Sequence, residues 1–367
     1  MDPELHQTFK GKNVFLTGHT GFKGAWLAFW LVRMGARVSG YSLEAERRPG
    51  LLEEFGLLDS LHAHSIADIR DRETLRRELI ASNPDFVFHL AAQPLVRRSY
   101  RDPLETYTTN VMGTISVLEA MRGLEKPSVG VFITTDKCYE NEESGRNYVE
   151  SDALGGHDPY SSSKACSELA VASWRRSFFE GRLPVAIATA RAGNVIGGGD
   201  WAEDRIVPDV MRSLSKGQPV SVRNPRAVRP WQHVLEPLHG YLRLAQVLAK
   251  TAAENVAGFN ELCGAYNFGP TDEANQNVEA LVLEILKNWP GSWEDLSDAS
   301  AVHEAVLLHL DINKSQTVLG WRPVWDFSES IARTVEWYRN AVESRSSIPD
   351  FTTNQILAFE SAIKAGT

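Results

Sequence analysis

The segment that most constrains this chain is Thr17-Gly18-His19-Thr20-Gly21-Phe22-Lys23-Gly24, three glycines spaced GxxGxxG. It directly follows the apolar run Asn13–Thr17 and opens a second apolar run, Phe22–Met34. A strand that ends in such a turn and leads into a buried helix is the first βα turn of a dinucleotide-binding unit. Gly18 allows the tight turn, Gly21 lets the backbone approach a pyrophosphate, and Gly24 lets helix and strand pack closely. The helix N-terminus offers N–H groups to the anion. Thr20, Phe22 and Lys23 share the turn and complete the residues expected at the cofactor. The competing reading is a tight turn with no ligand, which the strand–turn–helix context disfavours.

The rest of the chain keeps the rhythm of a parallel sheet. Short apolar strands are expected at Arg37–Tyr41, Ser65–Ala67, Asp85–Leu90, Val129–Thr134, Val185–Thr189 and Ala265–Phe268. Helices are expected at Arg72–Ala81, Leu104–Met121, Pro159–Phe179, Glu236–Lys250, Val278–Lys287 and Glu329–Asn340. Alternating strands and helices give an α/β fold, a Rossmann-type doubly wound parallel sheet. At 367 residues the chain is too long for one core, so a second, smaller α/β substrate domain is expected. The rhythm breaks after Arg191, which divides the chain discontinuously. Residues 1–190 and 234–266 are expected to form the dinucleotide-binding part, residues 191–233 and 267–345 the substrate part, and 346–367 a tail, a surface helix or frayed.

Charge and cysteines exclude several function classes. Asp plus Glu number 47 against 38 Lys plus Arg, a net charge of −9, which argues against a nucleic-acid partner. Cys138, Cys166 and Cys263 have no metal-ligand spacing and no disulfide framework, so no metal site is expected and a reducing cytoplasm fits. The N-terminus does not read as a signal peptide, and the longest apolar stretch, Ala25–Val32, is far below a membrane span.

Two further sets of residues carry chemistry. Glu44 lies at the spacing of an acid that binds the adenosine ribose, but Ser42 is also placed for it, and Arg47 and Arg48 could instead receive a 2′-phosphate. Asp68 and Ile69 are placed to cover the adenine, with a helix N-cap as the other reading of Asp68. Tyr160 and Lys164 form Tyr-x-x-x-Lys, a spacing that puts both on one helix face. An adjacent ammonium favours a phenolate, so Lys164 is expected to lower the tyrosine pKa. The pair can then deprotonate a hydroxyl whose carbon loses hydride. Thr134 and Thr135, at a strand end, supply the companion hydroxyl.

With these motifs the chain resembles the extended short-chain dehydrogenase/reductases, and among them the nucleotide-sugar 4,6-dehydratases. The likeness runs through the glycine turn, His89-Leu90-Ala91-Ala92-Gln93, Thr109–Thr114 and Thr134–Tyr139. It continues through Tyr160/Lys164, Arg191–Asn194, Tyr266–Gly269 and Leu319–Pro323. The resemblance implies NAD as cofactor, with Leu90, Ala91 and Ala92 against it. It implies oxidation of a sugar at C4, loss of water across C5 and C6, and return of the hydride to C6. Thr135 would polarise the C4 oxygen, Asp136 would be the acid at C6 and Lys137 the base at C5. The dTDP-glucose branch has Asp-Glu at these last two positions, so Asp136-Lys137 resembles the CDP-glucose branch instead. A lysine acts as a base only in its neutral form, which burial or crowding favours; the plainer reading is an ion pair with Asp136 or Glu140.

Ser99, Asn194, Arg205, Arg229 and Asn267 match positions that contact the nucleotide sugar, since arginine holds phosphate in a bidentate grip. His89 ends a buried strand and reads as structural, Cys138 as packing, and nothing in the spacing of His19 or His233 demands a role. Helices Leu104–Met121 and Pro159–Phe179 resemble a pair that packs between subunits, which implies a homodimer or, built from it, a tetramer. Three rivals stand beside the CDP-glucose reading: a dehydratase on a dTDP- or GDP-linked sugar, an NAD-dependent nucleotide-sugar epimerase, which does not need Asp136-Lys137, and an NAD-binding sensor or scaffold without chemistry, against which the intact Tyr160, Lys164 and Thr135 speak.

Overall fold

Strands that are apolar along their whole length must be covered on both faces, and that is how these strands are used. The computed structural model describes residues 3–142, 145–180, 185–254, 262–297, 308–344 and 347–366. Its centre is a seven-stranded parallel sheet built from β1 (Asn13–Thr17), β2 (Arg37–Ser42), β3 (Ala63–Ile66), β4 (Phe86–His89), β5 (Ser128–Ile133), β6 (Val185–Ala192) and β7 (Ala265–Phe268). The strand order is β7-β6-β5-β4-β1-β2-β3. Connections reverse direction at β1, so the crevice outside its carboxyl end is where an open α/β sheet binds its ligand. Residues 128–133 and 185–192 are buried without exception, as a doubly covered strand requires.

Helices cover both faces: α1 (Pro3–Phe9), α2 (Phe22–Arg33), α3 (Arg72–Ser82), α4 (Val96–Arg101), α5 (Pro103–Tyr107), α6 (Gly113–Met121), α7 (Pro159–Trp174), α8 (Ile206–Ser215), α9 (Leu235–Glu254), α10 (Val278–Asn288), α11 (Phe327–Glu343) and α12 (Ile348–Gly366). Helix α2 buries every residue from Gly24 to Leu31 and is followed by Gly35 at φ +81°, the left-handed stop its sequence predicts. Helix α7 starts on Pro159, capped by Asp158, whose carboxylate accepts the Ser161 amide at 3.0 Å. The expected helix over 104–121 is interrupted. One π-turn at Thr108–Met112 separates α5 from α6 and turns Asn110 inward, where it accepts the Gln93 amide and donates to Ser163.

Four short strand pairs surround the sheet. Val195–Ile196 pairs with Gln232–His233, Val220–Val222 with Trp293–Asp295, Val228–Pro230 with Asn275–Asn277, and Asn147–Tyr148 with His309–Leu310. Residues 193–231 thereby form a wall facing the carboxyl ends of β1, β4, β5 and β6.

The C-terminal segment departs from expectation. It is neither frayed nor a surface appendage: α12 buries Ile348, Thr352, Gln355, Ile356, Phe359 and Glu360. Phe359 is fully buried between the rings of Trp30, Trp325 and His239, and Glu360 accepts the Trp30 indole N–H at 2.9 Å. Its apolar residues recur at helical spacing, and such a stripe is buried wherever a matching face exists. Helices α1 and α4 also form where none was expected, because both are shorter than two helical turns and carry little periodic signal.

At the start of α9, Glu236 is a buried carboxyl that accepts the amides of Val324 and Trp325, the latter at 2.7 Å. Burial pushes its pKa from 4.5 up to about 8 against those bonds. The folded protein therefore holds a proton there that the unfolded chain gives up. Stability attributable to Glu236 is full below pH 4.5 and is lost as pH rises through about 8. Melting temperatures measured across this window should fall less steeply in Glu236→Gln than in the unmodified protein. For the C-terminal helix, Phe359→Ala should lower unfolding free energy by about 3–5 kcal/mol in urea titrations, the cost of emptying a core aromatic site; a loss below about 1 kcal/mol would place the helix outside the core.

Candidate active site

The glycine turn is held open by what the glycines lack. Gly18 sits at φ +77°, and a β-carbon there would meet the Ala91 amide nitrogen at 2.6 Å. A β-carbon on Gly24 would lie 2.0 Å from the Gly18 carbonyl oxygen. At Gly21 a β-carbon would meet only the Gly18 oxygen, at 3.4 Å, so this is the open face of the turn. Gly21 is the N-cap of α2 and no side chain caps the helix there. An uncapped helix start behind a turn that excludes side chains fits a pyrophosphate. Leu90, Ala91 and Ala92 line up behind it, since the Ala91 amide donates to the Thr17 hydroxyl at 3.2 Å.

At the adenosine end the candidate residues fall in different surroundings. Thr20 and Ser42 share a hydrogen bond of 2.7 Å, so Ser42 stands beside the turn. Glu44 is exposed and pairs with Arg48 at 3.2 Å, and Arg48 and Arg47 also bind Glu53 and Glu54. Both arginines are thus occupied by carboxylates. Asp68 is not an N-cap: Asp71 caps α3, and Asp68 pairs with Arg70 at 2.5 Å. Ile69 packs against Gly113, where a β-carbon would meet its Cδ1 at 2.3 Å.

A cleft of about 370 Å³ opens between the strand ends and the wall formed by residues 193–231. Thr135, Asp136, Lys137, Tyr160, Asn194, Arg205, Arg229, Phe22 and Lys23 all face it. The Thr135 hydroxyl donates to Asp136 Oδ1 at 2.9 Å and accepts the Lys137 amide at 3.3 Å. Burial raises the Asp136 carboxyl above the usual range despite the nearby Lys137 side chain and the Thr135 hydrogen bond. Gly193 leaves room for it, since a β-carbon there would lie 3.0 Å from Asp136 Oδ2.

The tyrosine–lysine pair is tuned differently from expectation. Burial pushes Tyr160 up to about 12, opposed by its hydrogen bond with Thr135 and by the nearby Arg205. Lys164 does not supply the lowering, because its Nζ donates to the Ile133 carbonyl at 3.1 Å, and burial brings it down to about 8. Lys23 lies beside it, lowered to about 7 by burial and by the neighbouring Lys164 and Arg205. Desolvation therefore outweighs the charge effect at Tyr160.

Two expected substrate contacts lie outside the cleft. Ser99 is fully buried; its hydroxyl donates to the Val96 carbonyl at 2.7 Å and accepts the Tyr160 amide at 3.1 Å. It fixes the start of α7. Asn267 is also fully buried, accepting from the Tyr139 hydroxyl at 2.7 Å and donating to the carbonyls of Tyr148 and Asp311 at 2.9 and 3.0 Å. Those bonds use its donors and acceptor on the framework. His89, as expected, is structural, bridging Thr17 at 2.7 Å and Thr114 at 3.0 Å. Cys138 packs with Tyr139, Tyr148 and Leu310. His233 is buried against Trp26 and Trp325.

Sequence reasoning missed Asp200, which binds Arg205 at 2.8 Å in the cleft wall, and the buried pair Glu168–Arg191 at 2.9 Å. Glu168 had a signal: it follows Lys164 by four residues, as Lys164 follows Tyr160.

Known proteins share the family and the fold of this chain. Residues 15–334 match the family described as GDP-mannose 4,6 dehydratase. The chain is 48% identical to the CDP-glucose 4,6-dehydratase of Salmonella typhimurium over 90% of its own length and 91% of that protein's. It belongs to the nucleotide-sugar 4,6-dehydratase family. A solved dTDP-glucose 4,6-dehydratase of Streptomyces venezuelae, a double mutant with NAD bound, superposes with a TM-score of 0.72 at 25% identity, covering 92% of this chain and 99% of that one. A UDP-glucose-4-epimerase from Stenotrophomonas maltophila superposes at 0.76 with 20% identity, covering 89% and 98%, which shows a shared fold alone.

The framework assignment of Asn267 in this dehydratase-family chain has a direct check. Asn267→Ala should lower unfolding free energy by about 2–4 kcal/mol, because it strands buried polar partners. An unchanged unfolding free energy would return Asn267 to the list of substrate contacts.

Proposed function

We propose that this protein is a hydro-lyase that converts CDP-glucose to CDP-4-dehydro-6-deoxyglucose and water, with NAD as a recycled cofactor. The observation that carries the reading is Asp136 and Lys137 side by side in the cleft with Tyr160. An epimerase oxidises and reduces one carbon and does not need that pair. The 48% identity to a CDP-glucose 4,6-dehydratase supports both the reaction and the base. The cofactor turn, Ser42 and residues 90–92 would hold NAD, and Asn194, Arg205 and Arg229 the sugar diphosphate. In this reading residues 1–190 and 234–266 serve the cofactor, and residues 191–233 and 267–345 the nucleotide sugar.

The glycine turn, Ser42 and residues 90–92 would hold NAD, which would supply a hydride acceptor for C4 and a hydride donor for C6. The rest falls to side chains. In its ionised form, which burial disfavours, Tyr160 takes the C4 hydroxyl proton as the ketone forms, and Thr135 donates toward the C4 oxygen. The ketone acidifies the C5–H bond, and Lys137, acting in its neutral form, takes that proton while Asp136 gives one to the departing C6 hydroxyl, which leaves as water. Lys137 then returns its proton to C5. At the end Tyr160 holds one proton more and Asp136 one fewer. Thr135, hydrogen-bonded to both, is the shortest route between them. The upward shift of the Asp136 carboxyl is in the direction that suits a proton donor.

Leu104, Met112 and Leu169 are large apolar side chains left exposed on α5, the π-turn and α7. A second copy covering them gives the homodimer this reading includes, with a tetramer as a further step. Among the described residues no helix is long and apolar enough to cross a membrane. The three cysteines stay free, which suits the reducing cytoplasm.

Offered CDP-, dTDP-, UDP- and GDP-glucose with NAD, the protein should form a 4-keto-6-deoxy product from CDP-glucose fastest. Absence of keto product from CDP-glucose would overturn the base assignment, and epimer without keto product would favour the epimerase. Lys137→Ala should lose solvent-proton exchange at C5 and slow turnover by about 10²-fold or more; retained exchange would remove Lys137 as the base. Sedimentation as a monomer at micromolar concentration would contradict the dimer.

A further inference from the structure

One buried ion pair holds both ends of the loop that carries Thr135, Asp136 and Lys137. Glu168 lies on α7 four residues beyond Lys164, so Tyr160, Lys164 and Glu168 share one helix face. Its Oε1 accepts the Thr134 hydroxyl at 2.5 Å. Its Oε2 accepts the Thr189 hydroxyl at 2.8 Å and Arg191 Nη2 at 2.9 Å. Both charged side chains are only 4% exposed. Arg191 in turn donates Nη1 to the Tyr139 hydroxyl at 2.7 Å and lies over the Tyr139 ring, 4.8 Å from its centroid. Tyr139 passes the chain of bonds to Asn267. Thr134 precedes the catalytic loop and Tyr139 closes it.

Stability alone does not call for such a pair. Apolar residues of similar volume would hold β5, β6 and α7 together as well or better, because two buried charges must first be desolvated. What a buried ion pair adds is direction: its charge-assisted hydrogen bonds hold their partners at set distances and angles. Here those directions run from the helix that carries Tyr160 and Lys164 to the loop that carries the acid and the base.

We propose that Glu168 and Arg191 are positioning residues that hold Asp136 and Lys137 in register with Tyr160, and so govern the loss of water more than the oxidation at C4. Tyr160 and Lys164 are fixed by their own helix, with the Tyr160 amide tied to Ser99, whereas Asp136 and Lys137 depend on the loop's two anchors. The inference rests on the dehydratase reading above.

The test uses Glu168→Gln and Tyr139→Phe in the full-length protein with NAD and CDP-glucose. Rapid mixing follows C4 oxidation by the near-ultraviolet absorbance of the reduced cofactor, and dehydration by the keto product. The expected result is oxidation within about threefold of the unmodified protein and dehydration slowed at least about tenfold, as small displacements of reacting groups cost large factors. The absorbance should then persist instead of decaying. Without any ligand, hydrogen–deuterium exchange should speed up in the peptide covering 134–140 in both variants. Equal slowing of both steps, no change in either, or unaltered exchange in that peptide would overturn the inference. If Glu168→Gln fails to fold, Tyr139→Phe, which deletes one hydroxyl, decides alone. Unmodified protein that dehydrates no sugar nucleotide removes the dehydratase reading and this inference with it. Normal turnover there, with an unaltered balance of steps in the variants, removes this inference alone.

Discussion

The contact on which the rest of the molecule depends is the approach of α2 to the end of β1, so close that a β-carbon on Gly24 would sit 2.0 Å from the Gly18 carbonyl oxygen. That approach fixes the helix on the sheet and leaves its N-terminus bare toward the crevice. Because the sheet is parallel, every neighbouring strand then delivers its following loop to the same edge. Residue 18 meets Ala91 after β4, Thr20 meets Ser42 at the end of β2, and the Thr135–Lys137 loop leaves β5 two strands away. The chemistry is therefore assembled from segments more than a hundred residues apart without any of them crossing.

Burial decides the protonation states in the cleft. A tyrosine beside a lysine suggests a lowered pKa, yet Tyr160 is pushed up to about 12 because desolvation exceeds the pull of its neighbours. The same effect lowers Lys164 to about 8 and Lys23 to about 7 and raises Asp136. Each shift penalises the charged form, as expected where water is excluded. The net charge of −9 hides this region, where Lys23, Lys164, Arg205 and Arg229 gather on one side of an otherwise acidic chain.

The sheet, its order of elements and most of the cleft were legible in the amino-acid sequence because they follow periodic signals: apolar strands, the glycine spacing and the Tyr160/Lys164 helix. What was not legible depends on contacts between distant segments. Asn267 and Ser99 match substrate positions in sequence, but the fold turns both inward onto backbone groups. Asp68 and Asp71 are three residues apart, and only the start of α3 shows that the second is the cap. The C-terminal helix carries an apolar stripe whose partner, Trp30, is more than three hundred residues away, so its burial could not be read locally. Glu168 stands at helical spacing from Lys164, but spacing alone does not separate a framework residue from a reacting one.

In the proposed reaction one cleft performs oxidation, elimination and reduction on a single bound sugar without releasing the reduced cofactor. CDP-glucose deuterated at C4, mixed with unlabelled substrate of a distinguishable mass, tests this directly by mass spectrometry of the product. Deuterium should appear at C6 of the same molecules that carried it at C4. Deuterium scrambled between the two substrates, left at C4, or lost to solvent would contradict the account.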